Sequence, residues 1–330
     1  MAVLVTGGAG YIGSHAVLAL RDAGEAVIVL DDLSTGFRGA VPSDIRLIVG
    51  DAGDGSLIRR TIDDYGVEEI VHFAAKLLVP ESVADPLGYY LANTVKSRTL
   101  FAAAVNAGVQ RIVFSSTAAV YGVPAENPVS EEAATAPISP YGASKLMSEW
   151  MLRDAAAAHG VRYVALRYFN VAGADPARRS GQSSRVATHL IKVASQAVLG
   201  KRRHLDVFGT DYATPDGSCI RDYIHVTDLA DAHLAALRYL RRGGTNLVLN
   251  CGYGRGYSVL EVIAAVKQVS GVDFPVVFGP RRPGDPPTLV ARADRIRDLG
   301  WQPRYDDLAT IVEHALAWER TLPLAPSAAA

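Results

Sequence analysis

The chain has 330 residues, 49% hydrophobic and 20% charged, which is enough apolar content for about two domain cores and too much for a disordered protein. Its 33 Lys and Arg against 34 Asp and Glu leave a net charge of -1, so nothing draws it globally to nucleic acid or another polyanion. Cys219 and Cys251 stand alone and the eight histidines are scattered, so no structural metal is expected and a reducing compartment is.

Residues 1–20 carry no Lys, Arg, Asp or Glu, yet the apolar run stops at Val5, and Gly7, Gly8, Gly10 and Gly13 break up the remainder of that stretch. That pattern fits neither a signal peptide nor a spanning helix, and the expected location is the cytoplasm, away from membranes. Short β-branched runs at 2–5, 26–30, 45–49, 69–73, 111–114 and 163–166 read as strands buried on both faces. Between them, 12–23, 57–65, 91–107 and 145–159 have helical spacing, several ending at glycine. The alternation predicts an α/β fold, a doubly wound parallel sheet of Rossmann type. Beyond about 170, Gly and Pro clusters at 173–181, 210–217 and 280–287 separate shorter elements. They predict a second, smaller mixed α/β domain: 1–170 for the nucleotide and 171–330 mainly for the substrate. A strand at 246–250 and the helix before it place part of about 222–250 back in the first domain. The Ala-rich end, 327–330, is expected to fray.

The first strand runs into Thr6, Gly7, Gly8, Ala9, Gly10, Tyr11, Ile12 and Gly13, after which a helix begins. In that context Gly7 permits a tight turn, Gly10 lets a diphosphate approach the backbone, and Gly13 lets helix and strand pack closely. A plain strand-to-helix turn would need no second signal, but here the second strand ends at Asp31 and Asp32. Asp31 lies 18 residues after Gly13 and can accept from ribose hydroxyls while repelling a 2′-phosphate. No Arg stands from Asp32 to Phe37, so NAD is favoured over NADP. Asp51, ending the third strand, is a weaker candidate for the adenine edge.

Tyr141 and Lys145, four apart, share one face of a predicted helix. Upstream, the strand at 111–114 ends in Ser115, Ser116 and Thr117, hydroxyls at the carboxyl end of a strand where such sheets present ligands. Bringing a phenol from a pKa near 10 to about 7 takes roughly 4 kcal/mol. One cation at about 4 Å supplies that order at an effective dielectric of about 20, and Lys145 with the positive nicotinamide ring would make two. Tyr141 could then take a proton from a substrate hydroxyl while hydride leaves the same carbon. Without the glycine loop, a half-buried Tyr beside a snorkelling Lys would be the default reading.

Together these residues resemble the extended short-chain dehydrogenase/reductase superfamily, and within it the UDP-sugar C4-epimerases, over nearly the whole chain from Thr6 to about Trp318. Beside the glycine loop, the resemblance rests on Val71 to Ala75 with Pro80, Glu81 and Ser82, on Ser115 to Gly122, and on Leu166 to Asn170. It rests further on Phe208 to Tyr212, Asp216, Gly217, Arg221 to Val226, and Arg281 to Asp285. It implies retained NAD that oxidises C4 of a UDP-hexose and returns hydride to the other face, interconverting UDP-galactose and UDP-glucose without net redox. By resemblance, Tyr141 is the base, Lys145 binds the nicotinamide ribose and tunes it, and Thr117 lies beside the sugar O4. The implied cofactor residues are Gly7, Gly10, Tyr11, Ile12, Asp31, Asp32, Leu33, Ser34, Thr35, Gly36, Asp51, Ala52, Phe73, Ala74, Ala75, Lys76, Asn93, Ser115, Tyr141, Lys145 and Tyr168. Those for the UDP-sugar are Thr117, Tyr141, Asn170, His189, Leu190, Leu205, Phe208, Arg221, Tyr223, Arg282 and Asp285. Arg221 and Arg282 can pair with a diphosphate, Phe208 can cover uracil, and Asp285 can accept from ribose. The resemblance also implies a homodimer joined through the regions 91–107 and 145–159.

The chain departs from this pattern at three positions. Leu77 aligns with a cofactor-contacting lysine and Lys76 lies one place earlier, His189 replaces a common asparagine, and Leu289 stands where some members carry a bulky tyrosine against N-acetyl sugars. Ala118 and Ala119 follow Thr117 where dehydratases place acids, which disfavours dehydration and, more weakly, decarboxylation. The nearest rivals are C4 epimerases of UDP-xylose/arabinose or UDP-uronic acid. An NAD-binding regulatory protein would need neither Tyr141 nor Lys145.

Overall fold

A computed structural model describes residues 2–184, 188–282 and 285–323. The expected fraying at 327–330, and Pro283 and Gly284 of the 281–285 segment, lie outside the described residues. The first half runs β1 (Ala2–Thr6), α1 (Tyr11–Asp22), β2 (Ala26–Asp31), β3 (Arg46–Val49), α2 (Gly55–Tyr65), β4 (Val67–His72), α3 (Val79–Ala84), α4 (Pro86–Tyr89), α5 (Lys96–Asn106), β5 (Arg111–Ser115), α6 (Pro140–His159) and β6 (Arg162–Tyr168). The second runs β7 (Asn170–Ala172), α7 (Leu190–Val198), β8 (Leu205–Phe208), β9 (Ile220–His225), α8 (Val226–Arg241), β10 (Leu247–Cys251), β11 (Gly256–Ser258), α9 (Val259–Ser270), β12 (Val276–Gly279), β13 (Thr288–Leu289), α10 (Asp294–Arg297) and α11 (Leu308–Glu319).

Seven strands form one parallel sheet in the order β10-β6-β5-β4-β1-β2-β3. Alternate residues along each strand feed opposite faces, because strand side chains repeat every two residues. Val3 and Val5 of β1 join Val29, Val71 and Val113 in a core closed by Val17 of α1 and Leu229 and Leu237 of α8. Leu4 joins Ile28, Ile70 and Ile112 in a second core closed by Ile58 of α2, Leu100 of α5 and Leu152 of α6. The chain is therefore doubly wound. The 222–250 region contributes here: α8 packs on α1, and β10 pairs with β6 as the outer strand.

The smaller half has its own core, where α7, α9 and α11 bury Ile191, Val262 and Ile311. It adds a sheet in which β9 is flanked by β11 and β13 and is also paired with β7, and a parallel pair of β8 and β12. One predicted helix divides. Residues 91–107 open as a π-helical turn, Tyr90–Val95, before α5. The turn widens around Asn93, whose side chain is bonded out of the helix to the Lys76 backbone, and such bulges accompany inserted side-chain contacts.

Candidate active site

Strand order puts β1 between β4 and β2, so successive connections leave in opposite directions and open a crevice at the carboxyl ends of the strands. The glycine loop lies there. A Cβ on Gly7 would come within 2.6 Å of the Ala74 nitrogen, and Gly7 has φ +72°, so only glycine fits the turn. A Cβ on Gly13 would lie 2.1 Å from the Gly7 carbonyl oxygen. Gly10 caps α1 without a side chain, which leaves the first-turn N–H groups around Tyr11, Ile12 and Gly13 open to an anion.

Asp31 is buried at the tip of β2 and accepts from Ala9 N and Leu33 N, both at 2.9 Å. Burial raises its carboxyl pKa while those two N–H groups oppose the rise. Two bonds leave acceptor capacity for a ribose hydroxyl. Asp32 closes a turn by accepting from Ser34 N at 2.9 Å, Leu33 takes φ 58°, and Phe37 N donates to Ala9 O, so Thr35 and Gly36 fold over the loop. Asp51, expected to end the third strand, lies two residues past β3 in an ion pair with Lys96 at 2.6 Å, and Ala52 follows it.

On the other side, Phe73, Ala74 and Ala75 continue β4 past Gly7. Asn93 is fully committed: Oδ1 accepts from Lys76 N, and Nδ2 donates to Lys76 O and Ser144 Oγ. The Lys76 ammonium pairs with Glu81 at 3.0 Å and Asp85 at 3.8 Å, so these surface carboxylates hold it.

Tyr141 and Lys145 sit in the first two turns of α6, and both are buried. Helix and strand end meet closely because a Cβ on Gly142 would fall 2.6 Å from Ala119 O. That contact brings Thr117, which caps the short turn Ala118–Tyr121, to the start of the helix that carries Tyr141, near enough for its hydroxyl to pull the phenol pKa down. The Lys145 ammonium lies 4.3 Å from the Phe114 ring centroid. Burial depresses its pKa to about 7, with Glu149 opposing the fall. Below it, His72 bridges Thr6 and Ser97 and is held neutral by burial and by Lys145, its pKa depressed to about 3. Ser115 Oγ is buried beside the Tyr168 phenol and closes no hydrogen bond of its own among the described residues.

The sequence reading makes the phenol acidic through two cations together, Lys145 and the nicotinamide ring. Without that ring, burial raises the Tyr141 pKa above its ordinary value, and the Thr117 hydroxyl opposes the rise.

In the smaller half, Asn170, His189, Leu190 and Tyr223 line one hollow together with Gln182 and Trp318. His189 bonds Gln182 through Nδ1, and burial holds it neutral. Tyr223 is buried with its phenol raised by burial. The Arg282 guanidinium lies 3.7 Å over the Phe208 ring, while Arg221 reaches Asp285 at 3.5 Å. Leu205 is 1% exposed, its side chain in the third core and its N–H bonded to Pro275 O. Leu289 pairs in register with Arg221 and is 9% exposed, so its side chain faces inward.

Sequence reasoning missed the joint between the halves. Tyr11 OH donates to Gly173 O at 2.7 Å, Ser14 bonds Ser180 at 2.7 Å, and Arg179 bridges Asp22 and Asp175. Gly173 was visible only as a loop residue, although its φ of +87° and the His225 ring 2.7 Å from an added Cβ leave room for nothing else. Among the described residues no His, Cys, Asp and Glu cluster suits a metal, and no helix is long and apolar enough to cross a membrane.

Residues 3–252 match the family model described as the NAD dependent epimerase/dehydratase family. The chain is 61% identical over 321 residues, 97% of this chain and 92% of the relative, to a UDP-glucose 4-epimerase of Azospirillum brasilense. Among solved structures it is similar to UDP-glucose 4-epimerase from Brucella ovis in complex with NAD, at 45% identity and TM-score 0.93, covering 96% and 97% of the two chains. It is also similar to the Bifidobacterium longum enzyme in complex with NAD+ and UDP, at 35% identity and TM-score 0.92, covering 97% and 98%.

Proposed function

Because the chain belongs to the NAD dependent epimerase/dehydratase family, we propose that it is an NAD-dependent isomerase that inverts C4 of a UDP-hexose, interconverting UDP-galactose and UDP-glucose. The observation that carries the reading is the buried Tyr141 phenol with Lys145 one turn along the same helix, packed by Gly142 against the strand end that carries Thr117, at the sheet edge that also holds the glycine loop. Gly7 follows β1 and Ser115 ends β5, two strand spacings or roughly 10 Å apart, a distance a dinucleotide can bridge.

The residues present fit NAD: Gly7 and Gly13 admit no Cβ, Asp31 keeps acceptor capacity, and the Ser115 hydroxyl is buried without a bond. NAD supplies a hydride acceptor that later returns the hydride. Thr117 holds the sugar O4, and Tyr141 removes its proton as hydride departs from C4, giving a transient 4-keto sugar. Lys145 holds the nicotinamide ribose and, when charged, stabilises the phenolate. Rotation of the keto sugar presents its other face, and Tyr141 returns the proton to O4. Arg221 and Arg282 grip the diphosphate, Phe208 covers uracil, and Asn170, Leu190 and Tyr223 complete the cleft in which the sugar turns.

The protein acts as a homodimer in the cytoplasm. Supporting the dimer, Leu87, Leu91 and Val95 before α5 and Met147 and Trp150 on α6 are exposed on neighbouring elements, Leu87 at 78% and Trp150 at 47%. Supporting the compartment, both cysteines are free and buried.

The test is incubation of the purified protein with a panel of UDP-sugars and no added oxidant. UDP-galactose should be converted to UDP-glucose, and acid release should free NAD from the protein as isolated. A requirement for added NAD with accumulation of NADH would assign a dehydrogenase instead, and preferential turnover of pentose or uronic acid nucleotides would move the substrate to those sugars.

A further inference from the structure

Glu149 continues the spacing of Tyr141 and Lys145 along α6, one turn beyond Lys145 on the same face. Its side chain is 4% exposed and has no part in the reaction described above. It accepts from Arg167 Nε at 3.0 Å, from Arg167 Nη2 at 2.6 Å, and from the Ser116 hydroxyl. Arg167 Nη1 donates to Tyr121 OH at 3.0 Å, and Tyr121 OH donates to Asn250 Oδ1 at 2.7 Å. The Asn250 amide is closed by Val129 O and Arg292 O. The line thus runs from α6 to the outer strand of the sheet through side chains that are each bonded at both ends.

The network joins the three segments that make the reacting centre. Glu149 belongs to the helix of Tyr141 and Lys145, Ser116 lies between Ser115 and Thr117, and Arg167 precedes Tyr168. A buried ion pair is poor evidence for stability, because desolvation cancels much of its Coulomb gain. Its placement one helical turn beyond Lys145, bonded to the strand end that carries Thr117, is better explained by function.

We propose, on the footing of the epimerase reading, that Glu149 is a positioning residue: anchored by Arg167 and Ser116, it holds a carboxylate one helical turn beyond Lys145 and fixes the Thr117 strand end against the Tyr141 helix. The groups facing Lys145 are His72 from β4, the Phe114 ring from β5 and Glu149 from its own helix. Those facing Glu149 are Arg167 and Tyr163 from β6, Ser116 after β5, and Tyr121. Of these, Glu149 is the negative group that opposes the discharge of Lys145 by burial.

The experiment uses NAD-loaded protein with 13C at the lysine ε position; there are six lysines, and Lys145→Met identifies the relevant signal. Glu149→Gln removes the charge but strands Arg167, so Glu149→Gln with Arg167→Met is made as a neutral pair. In both, the Lys145 signal should titrate about one pH unit lower, and the alkaline fall of kcat should move with it. At neutral pH kcat should drop about tenfold with KM for UDP-galactose within about twofold, and Glu149→Asp should restore most of it. A folded paired variant whose Lys145 titration and pH profile superpose on the parent overturns the proposal. Should both variants fail to fold, Ser116→Ala decides, with slower turnover at unchanged KM expected and unchanged turnover overturning. The titration needs no turnover, so a protein that fails to epimerise would refute the epimerase reading and leave this result separately readable.

Discussion

Tyr141 is the residue on which the proposed proton transfer depends, and its environment is set by opposing effects. Burial raises the phenol, Thr117 lowers it, and Lys145 can help only while charged, although its own pKa is depressed to about 7. The positive ring of bound NAD would add a second cation to this balance. Tyr141→Phe should lower kcat by about two to four orders of magnitude with the Kd for UDP changed less than about threefold, since the ring packing survives and only the proton acceptor is lost. Equal losses in both would reject the assignment. For Lys145 the linkage has a definite sign. Its pKa is 10.5 in the unfolded chain and about 7 in the fold, so between those values the unfolded chain holds the extra proton. Stability from this group is fully present above 10.5 and lost as pH falls toward about 7. In protein stripped of NAD, Lys145→Met should raise Tm at neutral pH by a margin that shrinks toward about pH 10, measured by thermal melts across that range.

At the scale of elements, β1, the glycine loop and α1 behave as one unit because backbone approaches backbone where any Cβ would intrude. Gly13→Ala places its Cβ 2.1 Å from Gly7 O, and should cost about 1–3 kcal/mol and leave protein isolated with little NAD. Full NAD occupancy in a stable variant would show that the loop tolerates the shift. This unit was legible in the sequence, since glycine spacing, β-branched runs and the strand-end Asp31 each have a local cause. The pairing of Tyr141 with Thr117 was legible as a hydroxyl at a strand end and a phenol at a helix start. The π-helical turn at Tyr90–Val95 was not, because its cause is Asn93 reaching the Lys76 backbone 17 residues away in sequence. The Glu149 network was hidden for a similar reason: Arg167 and Asn250 are 18 and more residues distant, although the four-residue step from Lys145 to Glu149 was there to be read. Lys76 looked like a cofactor ligand by position, and the carboxylates that hold its ammonium became visible only in three dimensions.

For the whole molecule, the sheet of the larger half presents ligand groups at one edge, and α1 is fastened to the smaller half through Tyr11, Ser14 and the Arg179 bridge. This joint ties the nucleotide loop to the cleft proposed for the UDP-sugar. The exposed apolar side chains near α5 and on α6 lie on the same helical layer that carries the catalytic pair. Trp150→Glu should therefore turn the dimer into a monomer by sedimentation velocity while NAD stays bound; a parent that sediments as a monomer would contradict the assembly.

Whether Tyr141 becomes a base under the influence of the bound cofactor can be measured from tyrosinate absorbance. In NAD-loaded protein, the pH titration of the parent minus that of Tyr141→Phe should show one phenolate forming near about pH 7, roughly three units below an ordinary phenol. Reduction of the cofactor, which discharges its ring, should push that step back up. A difference titration with no step below about pH 10 in the oxidised protein would contradict the account.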